Sequence, residues 1–343
     1  MTKKILYTFL FALILVLCAI FVPRTYPVPP FEKRATEQYW QLPTGSRIGY
    51  VKLPAKGIKK PYPIVYLHGG PGGFASDLMC NMLAPLTDDG YDIYLYDQIG
   101  SGHSDRLSNL EDYSVDRHKR DLEAIFQQIQ TEKVLLIAQS WGALLATCFV
   151  ADHPNQVDQL VLTGPGPIYP INTALRDIKP PDSLQIKAPV FSNQQANAAL
   201  NNIRTKAMAW FATAFSQKIA SDQEADDFNT YLTNGTNKST VCDTSKAVKA
   251  PGGSGFYVSV MTMESLASMP DPRNQLQNTK VPLLLLRGQC DNQNWGFQTE
   301  YLGLFPQHQL VVIPGAGHVI PLEQPALYLK TIRDFLEKNE IGR

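Results

Sequence analysis

The feature that most constrains this chain is a set of short, unbroken apolar runs, among them Lys133-Val134-Leu135-Leu136-Ile137-Ala138 and Val281-Pro282-Leu283-Leu284-Leu285-Leu286. A strand with one wet face alternates apolar and polar residues, so an unbroken run implies burial on both faces, as in parallel strands covered by helices. Comparable β-rich runs occur at 37–42, 48–53, 62–67, 91–96, 133–138, 156–163, 281–287 and 309–313. Helical patterns lie between them at 114–130, 141–153, 299–305 and 323–339,. Two strands in hairpin style, followed by strands alternating with helices, predict an α/β sheet. From about residue 165 to 280 the rhythm breaks into polar, mostly helical sequence with a Gly-Gly-Ser-Gly loop at 252–255, which reads as an inserted lid. The expected organisation is an N-terminal segment and proline-rich linker (1–30), an α/β core (31–165 and 280–343) and a helical cap (166–279).

The first residues stand apart. After Lys3 and Lys4, residues 5–22 carry no charge and read ILYTFLFALILVLCAIFV. That is about the minimum length for a helix to cross a bilayer. The exit, Cys18-Ala19-Ile20-Phe21-Val22-Pro23, lacks a small-residue cleavage pattern, so an uncleaved signal-anchor is favoured over a cleaved signal or a buried core helix,. Lysines ahead of the segment hold the N-terminus in the cytoplasm, placing the rest outside and membrane-tethered, although Arg24 weakens the asymmetry.

Lysine plus arginine (31) balance aspartate plus glutamate (31), which leaves no global positive field to attract a phosphate backbone,. Nucleic acid is therefore not an expected partner. Cys80, Cys148, Cys242 and Cys290 show no metal-like spacing,. In an oxidising compartment two could pair, Cys242 with Cys290 being the favoured couple, with inert buried thiols as the alternative. Asn234-Gly235-Thr236 and Asn237-Lys238-Ser239 are sugar-acceptor patterns only on a eukaryotic secretory route,. Oligomeric state leaves no signature.

The chemistry falls where predicted strands end. The run Lys133–Ala138 meets Gln139-Ser140-Trp141, and Gly142-Ala143-Leu144 then opens a helix. This is the strand, sharp turn and helix of G-x-S-x-G with Ala138 in place of the first glycine, and it makes Ser140 a candidate nucleophile. Such a turn strains the serine backbone and needs small neighbours where helix and strand come close. The plainer alternative is a helix N-cap. Asp291 follows the strand VPLLLLRG and His318 follows QLVVIPGAG, giving the chain order Ser, Asp, His,. The imidazole would take the serine proton while the carboxylate fixes its tautomer. Singly, Asp291 could cap a helix and His318 could be a hydrogen-bonded loop residue. Together, three suitable residue types each placed after a strand argue for a triad.

A glycine-rich run, His68-Gly69-Gly70-Pro71-Gly72-Gly73, follows the strand YPIVYL. Its backbone could supply an oxyanion donor at Gly70 opposite the N–H of Trp141, although a plain glycine-proline turn would read alike. Phosphate-cradling and dinucleotide glycine spacings are absent. No cofactor is expected, and no metal, because the six histidines do not cluster with acids at ligand spacing,. His103, His118, His153 and His308 read as structural or surface residues. Histidine's ordinary pKa of about 6.5 predicts activity that rises with pH as the free base forms.

HGGPGG at 68–73, YDQIGSGHSD at 96–105, AQSWG at 138–142, GQCD at 288–291 and GAGH at 315–318 together resemble the proline iminopeptidase branch of the α/β hydrolases. The resemblance covers most of residues 37–165 and 280–340. It implies an α/β-hydrolase fold, a mostly parallel eight-stranded sheet flanked by helices with a helical cap. It also implies Ser140 as nucleophile, His318 as base, Asp291 as orienter and main-chain donors at Gly70 and Trp141. Asp97 and Gln98 would then shape the floor near the oxyanion loop. The implied activity is release of an N-terminal residue, proline preferred, from short peptides.

Two departures bear on the substrate. Ile99 stands where the branch usually has arginine, and its tryptophan-rich lid segment with an amine-binding acid is not recognisable; the nearest aromatic pair, Trp210-Phe211, has no adjacent acid. Glu264 in VMTMESL lies about where a second lid acid would be, so it is the candidate ammonium ligand, against a solvated-surface alternative. Asp222, Glu224, Asp226 and Asp227 read as a wet helix face. The competing functions are a carboxylesterase or lipase-like hydrolase with the same triad, and a membrane-tethered binding protein on an inactive scaffold. Ser140 excludes dehalogenase and epoxide hydrolase chemistry, which needs a carboxylate nucleophile.

Overall fold

Each apolar run becomes a strand of one sheet in the computed structural model, which describes residues 3–189, 191 and 200–341. The strands are β1 (Gln38–Gln41), β2 (Arg47–Leu53), β3 (Ile64–Leu67), β4 (Ile93–Tyr96), β5 (Val134–Gln139), β6 (Val157–Thr163), β7 (Leu283–Gly288) and β8 (His308–Ile313). Their spatial order is β1-β2-β4-β3-β5-β6-β7-β8. β1 and β2 form an antiparallel hairpin, β2 runs antiparallel to β4, and the remaining pairs are parallel. The α/β-hydrolase expectation for the fold is met.

Why the central runs are unbroken is visible at β3. Val65 and Leu67 enter the core on one face, and Ile64 and Tyr66 enter the core on the other. The first face is covered by α3 (Val115–Ile129) and α4 (Trp141–Asp152), through side chains such as Leu122, Phe126, Leu145 and Phe149. The opposite face is covered by α2 (Asp77–Leu83) and α9 (Pro325–Ile341), through Met79, Leu83, Tyr328 and Phe335. Capping sets the ends of α3: Ser114 accepts from the N–H of Arg117, and Gln130 turns left-handed at φ +57°,. α2 escapes the sequence pattern because seven residues hold too few turns to show a period.

Between β6 and β7 the cap contributes α5 (Ile203–Phe215), α6 (Asp222–Thr236) and α7 (Phe256–Ser265); α8 (Trp295–Leu304) follows β7. Met208, Phe228, Phe256 and Met261 from the three cap helices join the same apolar cluster as α3 and α4, so cap and core share one interior. The N-terminal segment forms α1 (Lys3–Phe21), solvent-exposed along nearly its whole length.

The proline-rich stretch after α1 does not hang free. Tyr26 packs on Phe228 and Tyr231, the N–H of Gly252 donates to the carbonyl of Pro29 at 2.9 Å, and Phe31 stacks on His103. A disulfide joins Cys242 to Cys290 across 5.3 Å between Cα atoms, the couple favoured from the sequence. Cys18, Cys80 and Cys148 are free thiols.

Candidate active site

Ser140 sits at the sharp turn between β5 and α4, with φ +55° and ψ −118°. A non-glycine residue in that region is strained, and here the strain lifts the side chain clear of the sheet. The N–H of Ser140 donates to Thr163 at the end of β6 at 2.9 Å. Small neighbours are required as expected. A Cβ on Gly142 would lie 2.4 Å from the carbonyl oxygen of Leu67 and 2.6 Å from that of His68, so only glycine lets the first turn of α4 lie against β3,.

Asp291 and His318 come together from the ends of β7 and β8. His318 Nδ1 lies 2.8 Å from Asp291 Oδ1, and both residues are buried. The other carboxylate oxygen accepts from Gln298 at 3.1 Å, and the N–H of Gln293 adds a second donor to Oδ1 at 3.0 Å. Burial would push the Asp291 carboxyl up. The adjacent His318, Arg287 and the Gln293 N–H outweigh it and hold the carboxyl below the usual carboxylate range,. Arg287 steadies this loop by donating to the carbonyls of Asp291 and Gln293. Neither Gln298 nor Arg287 carries a sequence signal, because Gln298 reaches Asp291 only through α8 folding back over the end of β7, and Arg287 at the end of β7 only through the curl of the loop that follows it.

Gly164 lies between Ser140 and the Asp291–His318 pair. A Cβ there would lie 2.8 Å from His318 Nδ1 and 2.9 Å from Asp291 Oδ2, while the residue before it, Thr163, holds the Ser140 N–H. Gln139 further links the elbow to the carbonyl of His318 at 3.5 Å. No hydrogen bond joins the Ser140 hydroxyl to the His318 ring among the described contacts; such bonds often tighten only with substrate in place.

The glycine-rich loop runs against Ser140, the candidate nucleophile. A Cβ on Gly69 would meet Ser140 Cβ at 3.1 Å, and Gly70 adopts φ +133°, which L side chains rarely take,. Gln98 ties this loop to the elbow: its side-chain amide donates to the carbonyl of His68 at 3.0 Å, and its carbonyl accepts from the Trp141 indole at 2.8 Å. His68 Nε2 accepts from the Gln98 N–H at 2.9 Å, so Nδ1 carries the proton toward the carbonyl of Gly69. Burial lowers the pKa of His68 and keeps it neutral. Asp97 accepts from the N–H groups of Ala75 and His103, both at 2.8 Å, and pins the loops on either side.

Glu264 is exposed near the end of α7, and its side chain makes no hydrogen bond or ion pair among the described residues, in keeping with the solvated-surface alternative. The expected wet face of α6 is corrected in part. Glu224 is buried against Arg204, and Asp226 is buried against Arg106 at 2.9 Å. Acid-rich sequence looked solvated because its arginine partners lie far away along the chain. His118 is a core histidine, pushed down to about 3 by burial and bonded to Thr262 at 3.1 Å. Glu37, Asp97 and His103 bring ligand atoms within 4.8 Å of one another. Arg34 lies 3.6 Å from Glu37, which makes the group an ion cluster.

A mainly apolar groove of about 540 Å³ is lined by Phe74, Leu78 and Val319 among others, with the charged Glu32, Arg34, Asp77 and Lys249 also on its walls. Phe74 follows the glycine-rich loop and Val319 follows His318 in sequence, which sets the groove at the same end of the sheet as Ser140 and His318. A polar cleft of about 700 Å³ around Lys133, Asp158 and Lys280 lies at the opposite, N-terminal ends of β5, β6 and β7. In open α/β sheets ligands bind at the carboxyl ends of strands, which favours the apolar groove.

The sequence profile of the α/β hydrolase fold matches residues 62–325. The chain is 25% identical over 299 residues to a proline iminopeptidase of Heyndrickxia coagulans, covering 85% of this chain and 96% of that protein. Among solved structures, an esterase from Thermogutta terrifontis superposes with a TM-score of 0.58 at 18% identity, covering 89% of this chain and 99% of that one. A proline iminopeptidase of Mycobacterium smegmatis gives the same TM-score, identity and coverage. With an eight-stranded sheet, an elbow serine and this sequence match, the chain belongs to the α/β hydrolase fold family and is similar within it to the proline iminopeptidases.

Proposed function

We propose that the protein is a membrane-tethered serine hydrolase working through an acyl-enzyme on Ser140. The observation that carries this reading is the His318–Asp291 pair, held at 2.8 Å and linked through the His318 carbonyl to Gln139, the residue before a serine with φ +55°. Asp291 takes the proton-bearing Nδ1, which leaves Nε2 as the base. Ser140 Oγ attacks the substrate carbonyl as its proton passes to His318. The N–H groups of Gly70 and Trp141 hold the developing oxyanion, the latter at the N-terminus of α4. His318 then protonates the leaving group, and water, deprotonated by the same imidazole, releases the acid.

The substrate we favour is a carboxylic ester with an apolar portion seated between Phe74, Leu78 and Val319. An iminopeptidase must neutralise a substrate ammonium; the buried cap carboxylates Glu224 and Asp226 are committed to arginines, and of the acids on the groove Asp77 is paired with Arg34, which leaves Glu32 as the carboxylate the peptidase reading would use. Short peptides with N-terminal proline are the second reading, supported by the 25% identity over nearly all of a proline iminopeptidase. The Cys242–Cys290 disulfide supports an oxidising, extracytoplasmic location for the domain, with α1 as its anchor,. A serine-directed fluorophosphonate should label the wild type and not Ser140→Ala. Aryl esters and prolyl arylamides are then compared; higher kcat/KM on prolyl arylamides would replace the ester reading with the peptidase one.

A further inference from the structure

The cap helix α5 carries an outward face that water alone does not explain. Its inward residues Arg204, Thr205, Met208 and Ala212 are buried, whereas Ile203, Trp210 and Phe215 point out, with Trp210 56% exposed. Trp210, Phe211 and Phe215 form one ring cluster with centroids 5.0 to 5.6 Å apart. The helix sequence IRTKAMAWFATAF contains no acid, and Lys206 shares the exposed surface. Isolated surface aromatics are ordinary, but a contiguous cluster marks a surface that meets something apolar.

What it meets is indicated by its neighbour. Phe211 packs edge-on against Phe21, the last residue of α1, at 6.1 Å. The end of α1 is held by polar contacts as well: Arg204 donates to the carbonyl of Ile20 at 2.6 Å, and Glu224 accepts from the N–H of Arg24 at 2.8 Å. Arg204 and Glu224 are paired with each other inside the cap, and Tyr26 is clamped on α6. The cap therefore joins α1 rigidly and not by a loose tether. Nineteen residues of helix rise about 28 Å, close to the thickness of a bilayer's hydrocarbon core, so Phe21 falls at its boundary,.

We propose that the exposed face of α5 docks on the membrane surface beside the exit of α1. Ile203, Trp210, Phe211 and Phe215 enter the headgroup boundary, where tryptophan and other aromatic rings place an apolar body beside wet polar groups. Lys206 extends its ammonium to lipid phosphates while its stem lies along the apolar layer. The cap of the enzyme is thereby held against the lipid. This inference rests on α1 spanning the bilayer and is independent of the substrate assignment.

The test uses the full chain reconstituted into phosphatidylcholine–phosphatidylglycerol vesicles, with and without brominated phosphatidylcholine. Trp40, Trp141 and Trp295 are buried, which leaves Trp210 as the exposed tryptophan. The expected result is retention on vesicles through an alkaline carbonate wash, with a loss of tryptophan emission in brominated vesicles that Trp210→Phe does not show. Retention with equal quenching in wild type and Trp210→Phe would overturn the docking while leaving the anchor in place, and self-association through this face would give that result. Release by carbonate would overturn the anchor and the docking together.

Discussion

Cys290, the residue immediately before Asp291, is bonded to Cys242 in the cap segment between α6 and α7. The same segment is tied to the histidine loop. Glu323 accepts from the N–H groups of Cys242 and Gly317 at 2.9 and 2.7 Å, and the N–H of Val319 donates to Thr240. One cap segment thus braces the loops of both Asp291 and His318.

Reducing this disulfide should lower stability. The bridge closes a span of 48 residues, for which the chain-entropy account gives about 4 kcal/mol, with measured values for other proteins scattered below that,. A thermal melt of Cys242→Ser/Cys290→Ser, beside wild type with and without reductant, should show a lower Tm for the variant and no further effect of reductant on it. An unchanged Tm would remove the bracing role.

Asp291→Asn should fold and still lose activity by about three to four orders of magnitude in kcat, because the amide no longer selects the Nδ1-protonated tautomer of His318. Circular dichroism checks the fold and ester turnover checks the loss. Activity within tenfold of wild type would exclude Asp291 as the orienting acid.

Gln98→Ala should act through position alone. It breaks the link between the carbonyl of His68 and the Trp141 indole, which spans the two proposed oxyanion donors. Removing one such donor costs about 100- to 1000-fold in kcat, which bounds the loss expected from misplacing one. The loss should fall on kcat with KM little changed; a rise in KM alone would assign Gln98 to substrate binding instead.

His103 should make stability pH-dependent. Burial lowers the affinity of its ring for a proton, but Asp97 and Glu37, at 3.6 and 3.2 Å, outweigh that and raise its pKa to about 9. In the unfolded chain the value returns to about 6.5. The stabilisation is complete below about pH 6.5 and is lost as pH rises through about 9,. Melting curves from pH 6 to 9.5 should show Tm falling with pH in wild type, with a shallower slope in His103→Gln. Equal slopes would disprove the charged cluster.

Residues 133–142 show what local sequence can specify. An apolar run with a serine and a glycine after it leaves a single workable geometry, because the close approach of Gly142 to β3 and the raised φ of Ser140 are consequences of bond geometry within a few residues. The disulfide couple was also legible, by elimination of Cys148 into a buried helix face. For the acids of α6 the solvated expectation fails for the opposite reason, whereas Glu264 lies exposed, as its solvated-surface alternative has it. Whether a carboxylate is wet or buried depends on a partner such as Arg106, which is 120 residues away from Asp226.

Strand identity, the placement of Ser140, Asp291 and His318 after strands, and the apolar N-terminal helix were all determined by the sequence alone, since apolar periodicity and turn chemistry act over neighbouring residues. Only the tertiary structure decided that Gln298 and Arg287 support Asp291, that the proline-rich stretch clamps α1 to the cap, and that the aromatic face of α5 emerges beside Phe21. The α1 and α5 contacts join segments far apart along the chain, and the supports of Asp291, though only four and seven residues from it, depend on how the loop between β7 and α8 closes; neither leaves a local pattern in the sequence.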